Sequence, residues 1–313
     1  MTAEHLSNDD ARWLAVSTRD AKADGLFYSC VKTTGVYCLA SCAGRPHREN
    51  VFFVKTRVEA ERAGMRPCKR CRPDRLIAGS IDDRLAAIDW DQATQSLDLN
   101  GFFQLGRLLD DAECAGLAAH YGSDESFRSR IVMGRHGFGA GEYKYFADPA
   151  PSLVTALRTA LYSRLVPQAS KWRAALSAKG AYPVDHRSYR AICAAAGQVR
   201  PTPLLLSYGP GDYNRLHQDI YGAEIFPIQI AVLLSAPGKD FEGGEFLLTE
   251  QRPRMQSRAH VVPLDRGDAV AFAVNDRPVA GARGVYRAKM RHGVSTIRSG
   301  RRLVLGVIFH DAP

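Results

Sequence analysis

The segment LLLSYGPGDYNRLHQD, residues 204–219, decides the fold expected for most of the chain. Its apolar beginning, 204–208, predicts a β-strand, and the Gly-Pro-Gly-Asp run after it predicts a turn. His217 and Asp219 follow at a spacing of two, at which side chains on an extended strand point the same way. A His-x-Asp pair alone is a weak signal, because two unrelated polar residues at a strand end give the same pattern.

The sequence around this segment predicts an all-β core preceded by helices. From Pro203 onward, short apolar runs alternate with Gly, Pro and Asp turns, at residues 204–208, 228–234, 245–249, 260–263, 269–273 and 303–309. Six or more such strands favour a β-sandwich or a barrel-like core. Upstream, residues 110–120 predict a helix capped by Asp110 or Asp111. Residues 153–173 predict a longer helix that is interrupted by Pro167.

Two downstream motifs make the His-x-Asp pair more specific. His292 lies in RHGV and Arg302 in SGRRLVL, ten residues further on. The order His217-x-Asp219, His292, Arg302 resembles that of the iron(II)- and 2-oxoglutarate-dependent oxygenases over about residues 203–311. The C-terminal part is most similar to the prolyl-hydroxylase branch. The resemblance implies a double-stranded β-helix, the jelly-roll fold of that family.

The same resemblance implies a role for each residue. His217, Asp219 and His292 would bind Fe(II), because two imidazoles and one carboxylate leave positions on the ion for 2-oxoglutarate and O2. Arg302 would pair with the distal carboxylate of 2-oxoglutarate through its guanidinium fork. Tyr208 either hydrogen-bonds to that carboxylate or is an aromatic core residue.

The implied reaction is an oxidation driven by 2-oxoglutarate. The cosubstrate is decarboxylated to succinate while a substrate C–H bond is hydroxylated. On an N-methyl group the hydroxymethyl product falls apart to formaldehyde, so the outcome is demethylation. Arg301 competes with Arg302 for the cosubstrate role, but on a strand it would face the opposite side.

Four of the seven cysteines form a second pattern near the N-terminus. Cys38-x3-Cys42 and Cys68-x2-Cys71 are separated by twenty-five residues, which suits four thiolates around one zinc ion. Four free structural cysteines or two disulfides are the alternatives. Around them, residues 26–31 and 51–54 predict strands, and 57–63 a helix. A domain with so small a core usually needs a metal for stability.

The sequence between the cysteines narrows the interpretation. RW (12–13), ADG (23–25), TTGVYC (33–38) and RPCKRCRPD (66–74) resemble the N-terminal zinc domain of the Ada DNA-repair family over about residues 9–75. The resemblance implies methylphosphotriester repair, with Cys38 as the methyl acceptor in the zinc site, or a targeting role alone. Zinc would keep the acceptor sulfur deprotonated at neutral pH. Candidate contacts to DNA phosphates are Arg45, Arg48, Arg66, Lys69, Arg70 and Arg72.

Composition and charge are compatible with both resemblances. The chain has 313 residues, 45% hydrophobic and 24% charged, which excludes a disordered or collagen-like protein. No apolar window approaches the ~18 residues of a membrane span, and the N-terminus lacks the apolar region of a secretory signal, so we expect a cytoplasmic protein.

The formal net charge of +9 suits an anionic partner such as nucleic acid, although basic enzymes without one are common. No acidic residue lies between 278 and 310, and we expect a basic rim beside the iron. Its cations are Arg277, Arg283, Arg287, Lys289, Arg291, Arg298, Arg301 and Arg302.

Together these patterns predict an α+β protein of two domains. Residues 1–76 form the zinc domain, 77–100 a junction with some helix, and 101–313 the jelly-roll oxygenase with flanking helices. The leading hypothesis is repair of alkylated DNA, acting on single strands or on flipped bases. The alternatives are a prolyl-type protein hydroxylase targeted to DNA, and a non-enzymatic alkylation sensor. Release of formaldehyde from methylated DNA would distinguish the first two.

Overall fold

The protein is described by a computed structural model that covers residue 6 and residues 8–76, 79–178, 180–281 and 284–313. It separates into two compact units, Met1–Asp89 and Trp90–Pro313. The boundary falls within the predicted junction, 77–100, whose second half is a helix of the larger unit. In the described part of the chain, no helix combines the length and apolarity needed to cross a bilayer. The cytoplasmic location stays a prediction.

A small sheet forms the centre of the N-terminal unit. Its elements are α1 (Asp9–Thr18), β1 (Tyr28–Val31), β2 (Val36–Cys38), β3 (Val51–Val54), α2 (Arg57–Arg62), β4 (Arg66–Pro67) and α3 (Ile81–Ala86). The strand order is β3-β1-β2-β4. β1 is antiparallel to β2 and β3, and β2 is parallel to β4. The turn between β1 and β2 ends at Gly35, whose φ of 62° favours glycine.

The larger unit begins with mixed helices and strands and continues as strands alone. Its helices are α4 (Trp90–Asn100), α5 (Asp111–His120), α6 (Ser152–Ala175) and α7 (His186–Ala195). Its strands are β5 (Phe102–Arg107), β6 (Phe127–Val132), β7 (Gly139–Ala140), β8 (Glu142–Phe146), β9 (Leu204–Tyr208), β10 (Tyr213–His217), β11 (Ile228–Leu233), β12 (Phe241–Gly243), β13 (Phe246–Gln251), β14 (Arg258–Val262), β15 (Asp268–Ala273), β16 (Asp276–Gly281), β17 (Gly284–Val294), β18 (Ile297–Gly300) and β19 (Arg302–Val307).

These strands form two main sheets around one core, the predicted jelly roll. One sheet has the order β14-β13-β17-β10-β7, with β16 beside β17, and the other has the order β5-β15-β11-β19-β9-β8-β6. Phe246 and Leu248 from the first sheet share a buried cluster with Val270 and Phe272 from the second. Apolar side chains that alternate along strands of both sheets therefore meet in one core. The α+β jelly-roll prediction is confirmed.

Helix α6 corrects one prediction. The sequence predicts an interruption at Pro167, but the helix is continuous from Ser152 to Ala175. Proline in a helix interior costs ~3 kcal/mol, because it removes one hydrogen bond and crowds the preceding turn. The side chains buried around Pro167 are Leu165, Val166, Ala169 and Trp172. Burial of each of the larger ones stabilises the fold by ~1.5–3 kcal/mol. Packing therefore outweighs the local propensity.

Candidate functional site

The four clustered cysteines meet at one edge of the small sheet. Cys38 ends β2, and Cys68 directly follows β4, its parallel neighbour. The amide of Cys68 donates to the carbonyl of Tyr37 at 3.0 Å, which fixes the two cysteine pairs side by side. Their four sulfur atoms all lie within 4.8 Å of one another. All seven cysteines are unpaired thiols, so the disulfide alternative finds no support in the described residues.

The chemistry of this donor set fits zinc. A hydrogen bond with Cys71, together with burial and the neighbouring sulfurs, raises the pKa of Cys38. The same hydrogen bond lowers the pKa of Cys71 to about 6. Backbone amides of Leu39 and Gly44 donate to the sulfurs of Cys71 and Cys42, each at 3.5 Å. Four crowded sulfurs compete for protons, and a tetrahedral divalent cation replaces those protons and favours all four thiolates.

The predicted DNA-contacting cations of this unit differ in their surroundings. Five of them are exposed: Arg45, Arg66, Lys69, Arg70 and Arg72. Arg48 is half-buried, and its guanidinium donates to the carbonyl of Val51 at 3.1 Å. It also lies 5.7 Å from the ring of Trp13. Arg48 therefore stabilises the fold of the unit, and the exposed five remain candidates for phosphate contacts.

In the larger unit, His217, Asp219 and His292 come together as predicted. His217 ends β10 and lies opposite His292 of β17 in the antiparallel register, with their ring centroids 4.2 Å apart. The Nε2 atoms of His217 and His292 lie 3.4 and 3.3 Å from the two carboxylate oxygens of Asp219. One expectation needs correction. Asp219 does not continue the strand, which ends at His217; it enters the site from the segment beyond.

Hydrogen bonds and charge prepare these three side chains as metal ligands. Nδ1 of His217 donates to the carbonyl of Arg215 at 2.7 Å, which leaves the lone pair of Nε2 facing the site. The Tyr221 hydroxyl donates to Asp219 at 2.9 Å. Burial opposes ionisation of Asp219, yet the two imidazoles hold its pKa well below the usual range. Burial and the neighbouring His217 lower the pKa of His292. An ionised carboxylate beside a neutral imidazole is the state that binds a cation.

A cavity of about 190 Å³ connects this cluster with Arg302. Arg302 is 2% exposed, and its Nε has no hydrogen-bond partner among the described residues. No carboxylate in the described ranges forms an ion pair with the Arg302 guanidinium. The guanidinium lies 5.7 Å from the ring of Tyr208, its cross-strand partner. The Tyr208 hydroxyl accepts from Asn214 at 3.2 Å. Arg301 instead donates to Ser207 at 3.0 Å and does not line the cavity.

One polar residue of this cavity was not predicted from the sequence. Gln229 of β11 is 5% exposed, lines the cavity, and its Oε1 has no partner among the described residues. It neighbours Phe272 in the sheet, whose ring lies 4.7 Å from that of His292. The amide therefore lies toward the metal-ligand end of the cavity. The sequence does mark Gln229 as the single polar residue in the apolar run IQIAVL. Hydrophobic periodicity identifies this run as a buried strand but assigns no role to the one polar residue in it.

The basic rim expected from the C-terminal charge run is smaller than predicted. Arg277 is fully buried and forms an ion pair with Glu250, so it belongs to the fold. Arg287 donates to the carbonyl of Leu176 at 3.1 Å. Arg283 lies outside the described residues. Among the remainder, the exposed side chains are Lys289, Arg298 and Arg301.

Comparison with known families agrees with this division of the chain. Residues 141–312 match a family described as "oxygenase, catalysing oxidative methylation of damaged DNA". Residues 11–74 match the metal binding domain of Ada. The first match contains the three candidate iron ligands and Arg302, and the second contains all four clustered cysteines.

Individual proteins match one part of the chain or the other. An uncharacterised protein of Mycobacterium tuberculosis is 46% identical over 182 residues, which cover 57% of this chain and 78% of that protein. The transcriptional activator and DNA repair enzyme Ada of Escherichia coli is 52% identical over 71 residues, 22% of this chain and 20% of Ada. A prolyl-4-hydroxylase structure from Pseudomonas putida covers 72% of this chain and all of its own at 14% identity, with a TM-score of 0.41.

Proposed function

Since this chain belongs to the family of oxygenases described as acting on damaged DNA, we propose that its larger unit removes methyl groups from DNA bases by oxidation. Iron(II) and 2-oxoglutarate are the proposed cofactor and cosubstrate. The observation that carries the proposal is one cavity lined both by the cluster of His217, Asp219 and His292 and by the buried Arg302, with which no carboxylate of the described residues pairs. A buried guanidinium without a carboxylate is costly unless a ligand supplies one.

The residues of the cavity have distinct tasks. His217, Asp219 and His292 would hold the iron, which supplies the activation of O2 when bound. Arg302 and the Tyr208 hydroxyl would bind and orient the distal carboxylate of 2-oxoglutarate. The cavity is also lined by apolar side chains, among them Leu204, Leu206, Phe272 and Val304, which would exclude water from it.

The reaction balances with O2 as the oxidant. One oxygen atom enters succinate as 2-oxoglutarate loses CO2, and the other converts a base N–CH3 group to N–CH2OH. The bond between the base nitrogen and the hydroxymethyl carbon then breaks, the hydroxyl proton passes to the nitrogen, and formaldehyde leaves. A base inside a duplex cannot reach a cavity of this kind, so the proposed substrate is single-stranded DNA or a flipped base.

We propose further that the N-terminal unit binds zinc through Cys38, Cys42, Cys68 and Cys71 and brings the oxygenase to alkylated DNA. The match to the metal binding domain of Ada supports this role. In its stronger form, the Cys38 thiolate attacks a methylphosphotriester. A sulfur–carbon bond forms, the carbon–oxygen bond breaks, and the phosphodiester leaves with the electron pair.

One experiment tests the oxygenase proposal directly. An oligonucleotide with N-methylated bases is incubated with the protein, iron(II), 2-oxoglutarate and O2, and its mass is measured. Loss of the methyl group and release of formaldehyde are expected, and neither is expected with His217→Ala. Succinate formation with the methyl groups intact would remove these bases as substrates and favour a protein hydroxylase. Methyl capture by Cys38 is tested separately. A methyl group should pass from a phosphotriester to the wild-type protein but not to Cys38→Ser.

A further inference from the structure

Exposed apolar side chains occur at the cavity and in the segment that carries the candidate metal ligands. Phe138 lines the cavity and is 48% exposed. Leu216 and Ile220 are 45% and 50% exposed and lie next in sequence to His217 and Asp219. Single exposed apolar residues are common on proteins, but an exposed aromatic ring that lines a candidate active site indicates a surface that contacts a partner.

The backbone beneath Phe138 is held close to the candidate metal ligands. The amide of Arg215 donates to the carbonyl of Phe138 at 2.9 Å, within the strand that ends at His217. Gly139 has a φ of 142°, and a Cβ atom there would lie 2.3 Å from the carbonyl oxygen of Tyr213. Only glycine permits this close approach. The Phe138 ring is thus presented from a fixed position, which reduces the ordering cost of binding.

A second ring extends this surface. The exposed imidazole of His136 is stacked on Phe138, with ring centroids 5.3 Å apart and an interplanar angle of 20°. Two nearly parallel rings, one of them beside the cavity, offer a flat face of the kind on which nucleobases stack. An aliphatic side chain at position 138 would not offer this flat face.

Two exposed cations lie next to the residues of the two stacked rings, Arg135 in sequence and Arg215 in the sheet. Arg135 and Arg215 are exposed, and no carboxylate pairs with either one in the described ranges. Residues 127–141, 213–218 and 284–298 contain no Asp or Glu. The carboxylate that lines the cavity is Asp219, a candidate metal ligand. Unpaired guanidinium groups beside a stacking surface fit a strand with bases and phosphates, whereas a neutral proline-containing peptide would not use them.

We propose that Phe138, backed by His136, is a stacking platform for an unpaired nucleobase at the mouth of the cavity, with Arg135 and Arg215 binding the phosphates that flank this base. The inference rests on the proposed function and assigns it a substrate class, single-stranded or locally unpaired nucleic acid.

The test measures binding of the full-length protein to an unmethylated single-stranded oligonucleotide and to the matching duplex. Base stacking is worth ~1–3 kcal/mol by alanine substitution, so Phe138→Ala is expected to weaken single-strand binding roughly 5- to 150-fold. Phe138→Trp should retain the affinity and Phe138→Leu should lose it. Val199→Ala, which removes another exposed apolar side chain (62%) at a position that does not line the cavity, is the matched control.

Two outcomes separate this inference from the proposed function. Equal single-strand affinity of wild type, Phe138→Leu and Phe138→Trp would overturn the platform even if methylated DNA is demethylated. Conversely, if no formaldehyde is released from DNA but Phe138→Ala and Phe138→Leu lose single-strand binding while Phe138→Trp keeps it, the platform stands and base demethylation fails. If demethylation does occur, Phe138→Leu is expected to raise KM for the oligonucleotide more than it lowers kcat.

Discussion

Arg302→Met gives the sharpest test of the cosubstrate site, because the structure supplies a magnitude. Burial lowers the pKa of Arg302 to about 10. One pKa unit corresponds to ~1.4 kcal/mol, so the folded protein disfavours this charge by on the order of 3 kcal/mol. The unfolded chain binds the proton more tightly, so this cost is fully present below pH 10 and declines only as the pH rises toward the ordinary arginine value. At neutral pH it is constant.

Two opposite effects on stability are therefore expected. Without 2-oxoglutarate, Arg302→Met should unfold at higher denaturant concentration, with a gain of about 1–3 kcal/mol, because an apolar side chain of similar length replaces an unpaired buried charge. With 2-oxoglutarate at a hundred times its Kd, the wild type should gain ~2.7 kcal/mol. The variant should gain nothing, because its cavity has lost the group that pairs with the carboxylate.

The assay is urea unfolding of the full chain with Mn(II) in place of iron, with and without 2-oxoglutarate. Arg301→Met is the matched control: its guanidinium contacts Ser207 outside the cavity, and it should keep the full response to 2-oxoglutarate. The reasoning is refuted if Arg302→Met is less stable than wild type without the ligand and is stabilised by it to the same extent.

Three further predictions concern other side chains of the two units. Gln229→Leu should raise the unfolding free energy by ~1 kcal/mol, since an unpaired buried amide is costly. The same variant should form succinate more slowly. A variant less stable than wild type would mean that the amide is paired in the fold. Cys71→Ala should lose zinc, measured as metal per protein, whereas Cys30→Ala, also in the small unit but outside the cluster, should keep it; zinc retained in Cys71→Ala contradicts the four-sulfur site. Burial lowers the pKa of His310 to about 4, so between pH 6.5 and 4 the unfolded chain takes up a proton that the folded chain does not, and the free energy of unfolding falls as the pH falls. His310→Asn should flatten this pH dependence, measured by urea unfolding. An unchanged slope would contradict the prediction.

The strands of the core were predictable because their burial is one-sided or complete. The run 204–208 coincides with β9, and 228–234 and 269–273 differ from β11 and β15 by one residue each. Such short apolar runs have one way to bury their surface, and glycine or proline ends them. The strands between residues 102 and 146 were not predicted. In β8 the alternation is hidden by Lys144, which is buried because the carbonyl of Tyr121 and the carboxylate of Asp124 satisfy its ammonium group.

The candidate site was predictable in its members and not in its geometry. The order of His217, Asp219, His292 and Arg302 identified the set, but sequence spacing cannot show that His217 and His292 are cross-strand partners. It also placed Asp219 on an extended strand, whereas the strand ends two residues earlier. Local sequence carried no signal for Phe138 either, because its position depends on the close pairing of β7 with β10. Contacts between distant segments decide all three cases.

Three of the buried polar atoms that lack a partner among the described residues of the larger unit lie in the candidate site, whereas the others, in Tyr189, Arg266, Arg277 and His310, do not line its cavity. Nε of Arg302, Oε1 of Gln229 and Nδ1 of His292 are all buried without a partner among the described residues, and all three residues line the same cavity. Each such atom costs ~1–3 kcal/mol, which apolar substitutes would avoid. A sequence selected for stability alone has no reason to place all three in one cavity of an otherwise apolar β-core. Their cost is recovered only when a ligand with matching polar groups is bound, so ligand binding should stabilise this unit more than apolar contact alone would.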